Sequence, residues 1–295
     1  MFKPKIMMAS IAICALWANS LVHPAVKNVA LSAPASLSQN KSSISKPASE
    51  HIVIVVEENH SSQSILNNPK APYINSLAKQ GLSLTNHYAI EHPSQPNYIE
   101  LFSGSNQGVN DDLTHKPTNH ANLASELINH GYTFGGYSEG LPKVGYTGPY
   151  DLKTKYARKH NPWVNFTNLP ASINMPLTSF PKDYNQLPTV SFVIPNLNND
   201  MHDGSIKTAD QWLKSHLSAY VAWAYSHNSI LIVTWDEDDM SKHNKIPTII
   251  VGANVKKGSY TVKTNHYSVL RTIENMYGLN ALGKSRNTQP IDIWE

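Results

Sequence analysis

Two stretches of this chain place acids where an apolar strand should end. Ile230 to Thr234 leads through Trp235 into four acids, Asp236 to Asp239, and His51 to Val56 leads into Glu57-Glu58-Asn59-His60. Neighbouring carboxylates repel one another unless a cation lies among them. A solvated acidic loop is the plain reading of either stretch taken alone. Glu58, Asp236 and Glu237 offer oxygen ligands, and Asp200, His202 and His266 offer a mixed oxygen and nitrogen set. Carboxylate with imidazole suits zinc or manganese, and all-oxygen sites suit magnesium or calcium as well. With 14 histidines in the chain, most must be ordinary surface or core residues. Ser94, in His92-Pro93-Ser94-Gln95-Pro96-Asn97-Tyr98, is the candidate nucleophile. A free serine hydroxyl is weak and needs activation, which a metal or the positive end of a helix can supply. Such a helix N-terminus would also hold a phosphate by its backbone N–H groups. The plain alternative is a serine that only caps the helix.

The elements that must position these groups are legible from apolar runs and breakers. Strands are expected over 51–56, 82–88, 132–137, 189–194, 230–234 and 247–251. Helices are expected over 71–80, stopped by Gly81, then from Ser94 with Pro96 in the first turn, and over 122–129, 209–226 and 265–277, the last stopped by Gly278. Trp212, Leu213, Leu217, Tyr220, Val221 and Ala224 form one apolar stripe, on which His216 reads as a packed core histidine. Strands alternating with helices imply an α/β fold with a mainly parallel sheet covered on both faces. Ligands bind beyond the carboxyl ends of such strands. The acids, Ser94 and the 198–203 cluster all follow predicted strands, so the sheet would gather them at one edge.

From 140 to 187 the pattern gives way to Pro, Gly, Tyr and Asn, read as an irregular insertion on the substrate side. Lys3 and Lys5 before an apolar run to Ala18, then Ala18-Asn19-Ser20, read as a signal peptide over 1–20 and so an exported, periplasmic or secreted protein. Residues 21–49 read as a flexible leader and 50–295 as one catalytic domain. The only cysteine, Cys14, lies inside that signal, so the mature chain has no disulfides. A net charge of +3 with scattered lysines argues against nucleic acid as partner.

These motifs resemble the bacterial and fungal phosphoesterase family that contains acid phosphatases and phosphatidylcholine-type phospholipases C, within the alkaline phosphatase superfamily. Glu58-Asn59, His92 to Tyr98, His160-Asn161-Pro162, Asn199 to Gly204, Trp235-Asp236-Glu237 and Asn265-His266-Tyr267 carry the resemblance in order, from about Glu50 to Gly278. It implies an alkaline-phosphatase-like sheet and an attacking hydroxyl at Ser94. It also implies one or two divalent ions, zinc first, with magnesium, calcium or manganese as alternatives. Glu58, Asn59, Ser94, Asp236 and Glu237 would form one site, with Asp200, His202 and His266 at a second. His92, Asn97 and His160 would contact substrate, and Asn59, His202 and His87 would stabilise the phosphoryl oxygens. The expected activity is hydrolysis of small phosphate monoesters through a phosphoserine, with no obligate protein partner. A phospholipase C, in which the aromatic region from Tyr146 to Phe180 contacts lipid, is the alternative. A non-catalytic metal- or phosphate-binding protein is the alternative of another class.

Overall fold

The computed structural model describes residues 49–295, so the signal peptide and, apart from Ser49, the leader lie outside the described residues. β1, Ile52–Glu57, is buried along its whole length, as an unbroken apolar run buried on both faces should be. β5, Val190–Ile194, and β6, Ile230–Trp235, pair with it on either side, both parallel. The sheet extends on one side through β3, Phe134–Ser138, and β4, Asn174–Pro176. On the other side come β7, Thr248–Gly252, β2, Leu82–Leu84, and β8, Gly258–Tyr260. The eight strands order as β8-β2-β7-β6-β1-β5-β3-β4. Only β7 runs antiparallel to its neighbours, so the sheet is mainly parallel, as expected.

Alternation along β1 divides the core. Ile52, Ile54 and Val56 belong to the layer under α2, Ser94–Ser103, α3, Leu123–Asn129, and α5, His266–Tyr277. Val53 and Val55 belong to the layer under α1, Pro72–Gln80, and α4, Ile206–Ala224. Burial of aliphatic side chains on both faces is the main driving force for this arrangement.

Several local expectations are corrected. The stretch 82–88 is not one strand; β2 ends at Leu84, and His87–Tyr88 forms a separate pair with Thr264–Asn265. α4 begins at Ile206, earlier than the apolar stripe suggested, because the Ser205 hydroxyl accepts from Thr208 N. His216 is exposed rather than in the core, stacked on Trp212 at 4.4 Å with its Nδ1 facing the Trp212 carbonyl. Gly81 ends α1 with φ −129°, so it does not serve as a left-handed stop. A side chain there would collide with the Ile250 carbonyl, and close approach to β7 is what requires glycine. Gly278 does adopt the left-handed conformation, φ 64°. The insertion over 140–187 contains a short hairpin, Tyr150–Asp151 with Tyr156–Ala157, several 3₁₀ turns and edge strand β4.

Candidate active site

The first turn of α2 starts directly after Pro93, and Ser94 is its first residue rather than its cap. Its hydroxyl makes no capping hydrogen bond and points at acids instead. Ser94 Oγ lies 3.0 Å from Glu58 Oε2 and 3.2 Å from Glu237 Oε1, and is itself 1% exposed. β1 and β6 run side by side with Glu57 opposite Trp235, so the residues that follow, Glu58-Asn59 and Asp236-Glu237, leave the sheet together. Asn59 takes φ 43°, a turn that aims its backbone N–H at Asp236 Oδ1 (3.1 Å) while its Nδ2 donates to Glu237 Oε1 (3.2 Å). Asparagine tolerates that left-handed conformation better than most residues. Glu58, Asn59, Ser94, Asp236 and Glu237 are thus brought together.

Below Ser94, one helical turn on, Tyr98 donates to Glu58 Oε1 at 2.5 Å and stacks on His160 at 5.1 Å. His160 stands between two acids, Nε2 3.0 Å from Glu58 Oε1 and Nδ1 3.3 Å from Asp200 Oδ2. Among the described residues, Glu58, His160 and Asp200 are the one set of three such residues whose ligand atoms lie within 4.8 Å of one another. Lys159 Nζ lies 2.8 Å from Asp112 Oδ2 and 3.5 Å from His202 Nε2.

Burial dominates the electrostatics. It raises the Asp236 carboxyl to about 7, with the Glu237 charge adding to the effect, and raises Glu237 to about 7. Burial, then Asp236 and Asp200, push Glu58 well above the usual carboxylate range. Asp200 is raised and the His160 ring lowered, again chiefly by burial. Burial alone would lower the Lys159 ammonium, but the charges of Glu58 and Asp112 outweigh it and raise it. Asp236 Oδ2 and Asn59 Oδ1 are buried with no hydrogen-bond partner. Three carboxyls, an amide oxygen and a hydroxyl, two of those oxygens unpartnered, make an oxygen donor set of the chemistry that a divalent cation takes, with its carboxyl oxygens spread more widely than the ligand atoms of the Glu58, His160 and Asp200 trio.

The remaining expected residues are distributed differently. His92 Nδ1 lies 2.5 Å from Glu237 Oε2, at the edge of the cluster. His202 is partly exposed beside Lys159 and bonded to Asp203, with its backbone N–H on Asp200 Oδ1. His266 is not gathered with Asp200 and His202; it is fully buried, its Nε2 on the Asp236 carbonyl at 2.8 Å, and burial lowers it to about 4. His87 packs against His266 and bonds Thr264 Oγ1, so it reaches Asp236 only through His266. Asn97 spends both ends of its amide on the backbone of Ile90, Glu91 and Pro93, shaping the turn before α2. Sequence reasoning missed Tyr98, Lys159 and Asp112. Tyr98 stands four residues after Ser94, a spacing that puts both on one helix face.

A model of the phosphoesterase family matches residues 62–280. A phosphatidylinositol-3-phosphatase from Mycobacterium tuberculosis is 52% identical over 254 residues, covering 84% of each chain. A phosphate-repressible acid phosphatase from Penicillium chrysogenum is 33% identical over 72% of this chain and 55% of its own. An acid phosphatase from Aspergillus fumigatus is 36% identical over 70% of this chain and 51% of its own. The chain therefore spans about half the length of these two fungal relatives. Among solved structures, a protein of the alkaline phosphatase superfamily from Vibrio parahaemolyticus superposes with TM-score 0.60 at 15% identity, over 84% of this chain and 72% of that one. A likeness that distant shows the fold. The match over residues 62–280, with relatives this similar, means that the chain belongs to the phosphoesterase family and is a hydrolase of phosphoric ester bonds.

Proposed function

We propose that this protein is an exported, metal-dependent phosphatase that removes phosphate monoesters through a phosphoserine at Ser94. The observation that carries the reading is the Ser94 hydroxyl, free of capping duty and within 3.2 Å of two buried carboxylates. Glu58, Asn59, Ser94, Asp236 and Glu237 would hold the ion, and a divalent cation there supplies Lewis-acid stabilisation of negative charge. Ser94 Oγ attacks phosphorus and passes its proton to Glu237, whose Oε1 lies 3.2 Å from the hydroxyl. The bond from phosphorus to the alcohol oxygen breaks on the opposite side, and the departing alkoxide takes a proton from solvent water on the side of the exposed His202. Lys159, Asn59 and the N-terminus of α2 face the phosphoryl oxygens, where charge spreads in the transition state. Water then attacks phosphorus and the Oγ–P bond breaks; Ser94 takes back the proton held by Glu237, and the phosphate leaves with the water's oxygen, one of the water's protons passing to solvent.

Monoester chemistry is favoured by the relative that is 52% identical, a phosphatidylinositol-3-phosphatase. Ser94→Ala is expected to lower turnover of p-nitrophenyl phosphate by about a thousandfold or more while the thermal melt stays that of a folded protein. Wild-type turnover in the Ser94→Ala protein would overturn the mechanism. Faster release from p-nitrophenyl phosphorylcholine than from p-nitrophenyl phosphate would turn the reading to a phospholipase C. Acid-quenched intact-mass analysis reads the phosphoserine, elemental analysis the ion, and cell fractionation the export.

A further inference from the structure

Asp112 lies on the loop after α2, outside every motif that carries the family resemblance, yet its carboxylate stands beside the nucleophile. Its Oδ1 accepts at 3.0 Å from the N–H of Gln95, the second residue of α2 and the one after Ser94. Its Oδ2 accepts from Lys159 Nζ at 2.8 Å. Gln95 also fixes the loop around that carboxylate. Its fully buried side chain donates from Nε2 to the Asp111 carbonyl at 2.9 Å and to the Leu113 carbonyl at 2.8 Å. One residue of the helix thus holds three consecutive residues of the loop, and the carboxylate among them has little room to swing away.

A helix N-terminus and an ammonium are groups that a phosphoryl anion seeks. Here both already meet a carboxylate of the chain itself. Lys159 belongs to the neighbourhood of Ser94. Against burial, the charges of Glu58, Asp112 and Asp236 raise its ammonium, and the charges of Asp112 and Lys159 both reach Glu237. Its chain neighbour His160 places Nε2 3.0 Å from Glu58 Oε1. A lysine side chain is long and flexible, so a partner is needed to fix its charge at one point. Among the described residues, Asp112 is the acid within ion-pair distance of Lys159. An ion pair this open to solvent adds little stability, and Gln95 Nε2 pins the loop without it.

We propose that Asp112 is a positioning residue for phosphoryl transfer: it holds the Lys159 ammonium ready beside Ser94, and its fixed charge keeps product phosphate from binding tightly. This rests on the function proposed above, in which Lys159 faces the phosphoryl oxygens. An untethered ammonium would follow the phosphate into a ground-state ion pair, which tightens binding without favouring the transition state. A fixed like charge also weakens the hold on free phosphate, which must leave before the next turnover.

Asp112→Asn keeps the shape and an acceptor for Gln95 N–H while removing the charge. Its kcat on p-nitrophenyl phosphate should fall about tenfold, and the inhibition constant of inorganic phosphate should fall too, by about fivefold, with the thermal melt unchanged. Asp112→Glu, which restores the charge, should bring the inhibition constant back towards wild type. Lys159→Ala should weaken phosphate binding about tenfold. Adding Asp112→Asn to Lys159→Ala should lower kcat no further and recover part of that affinity, because the pair acts as one unit. Wild-type kcat and phosphate binding in Asp112→Asn would overturn the proposal, as would additive losses of kcat in the double variant. A fall in kcat with a lower melt and weaker phosphate binding would reduce Asp112 to a support for the loop, and the proposal would fail there as well. Each of these failures leaves the catalytic reading standing when Ser94→Ala is inactive, whereas full turnover by Ser94→Ala removes that reading and this proposal together.

Discussion

Tyr98 shows how one residue can serve a site without touching the reacting atoms. Its hydroxyl donates to Glu58 Oε1 and its ring backs His160, so it fixes the carboxylate whose other oxygen faces Ser94. Burial and the neighbouring Glu58 raise the phenol well above its usual value, which keeps the proton available for donation. Tyr98→Phe retains the stacking surface and removes the donor. A hydrogen bond to a charged group is worth roughly 1.5–3 kcal/mol, so kcat should fall about ten- to a hundredfold with KM little changed. Steady-state kinetics on p-nitrophenyl phosphate would show it, and an unchanged kcat would mean that Glu58 needs no such support. The spacing of Ser94 and Tyr98 stood in the sequence, but its meaning depended on where Glu58 lies. Lys159 was obscured for a related reason: beside His160 it reads as a surface lysine until Asp112 and His202 are seen to converge on it.

At the scale of elements, the strands that carry the site were legible because each is a continuous apolar run ending in acids. β1 and β6 appear within a residue or so of where their Ile and Val runs place them. β8 was not legible, since Gly258-Ser259-Tyr260 is short, exposed or half-exposed, and held only by pairing to β2. The role of α5 was half legible. Gly278 marks its end, but nothing in a linear reading shows that its first residue, His266, props the Asp236 carbonyl. Asn265 caps this helix, accepting from Ser268 N while the Ser268 hydroxyl accepts from Asn265 N–H. Asn265→Ala should therefore cost about 1 kcal/mol, or roughly 2–4 °C in the melting temperature of a domain this size. Asn265→Ser should restore most of it. A melt of Asn265→Ala identical to wild type would show that tertiary packing alone holds the helix start.

For the whole molecule, the two-faced apolar core stabilises a sheet whose active edge is electrostatically costly, and the cost depends on pH. The Asp236 and Glu237 carboxyls rise from 3.8 and 4.5 to about 7 because burial disfavours their charged forms. A folded-state pKa raised above the unfolded value gives stability that is fully present below the unfolded pKa and lost as pH rises through the folded one. Without a divalent ion, the melting temperature should therefore decline between about pH 4 and pH 8 by an amount that Asp236→Asn with Glu237→Gln abolishes. A bound cation reverses the sign, since it takes the deprotonated carboxylates and gains affinity as the protons leave. The difference in melting temperature between metal-loaded and chelated protein should be small near pH 5 and on the order of 10 °C near pH 8 at saturating ion. Differential scanning calorimetry at the two pH values, with metal content measured on the same samples, reads both slopes. A chelated protein that melts where the loaded one does at both pH values would mean that the acids around Ser94 are stable among themselves, and the divalent site would have to be abandoned.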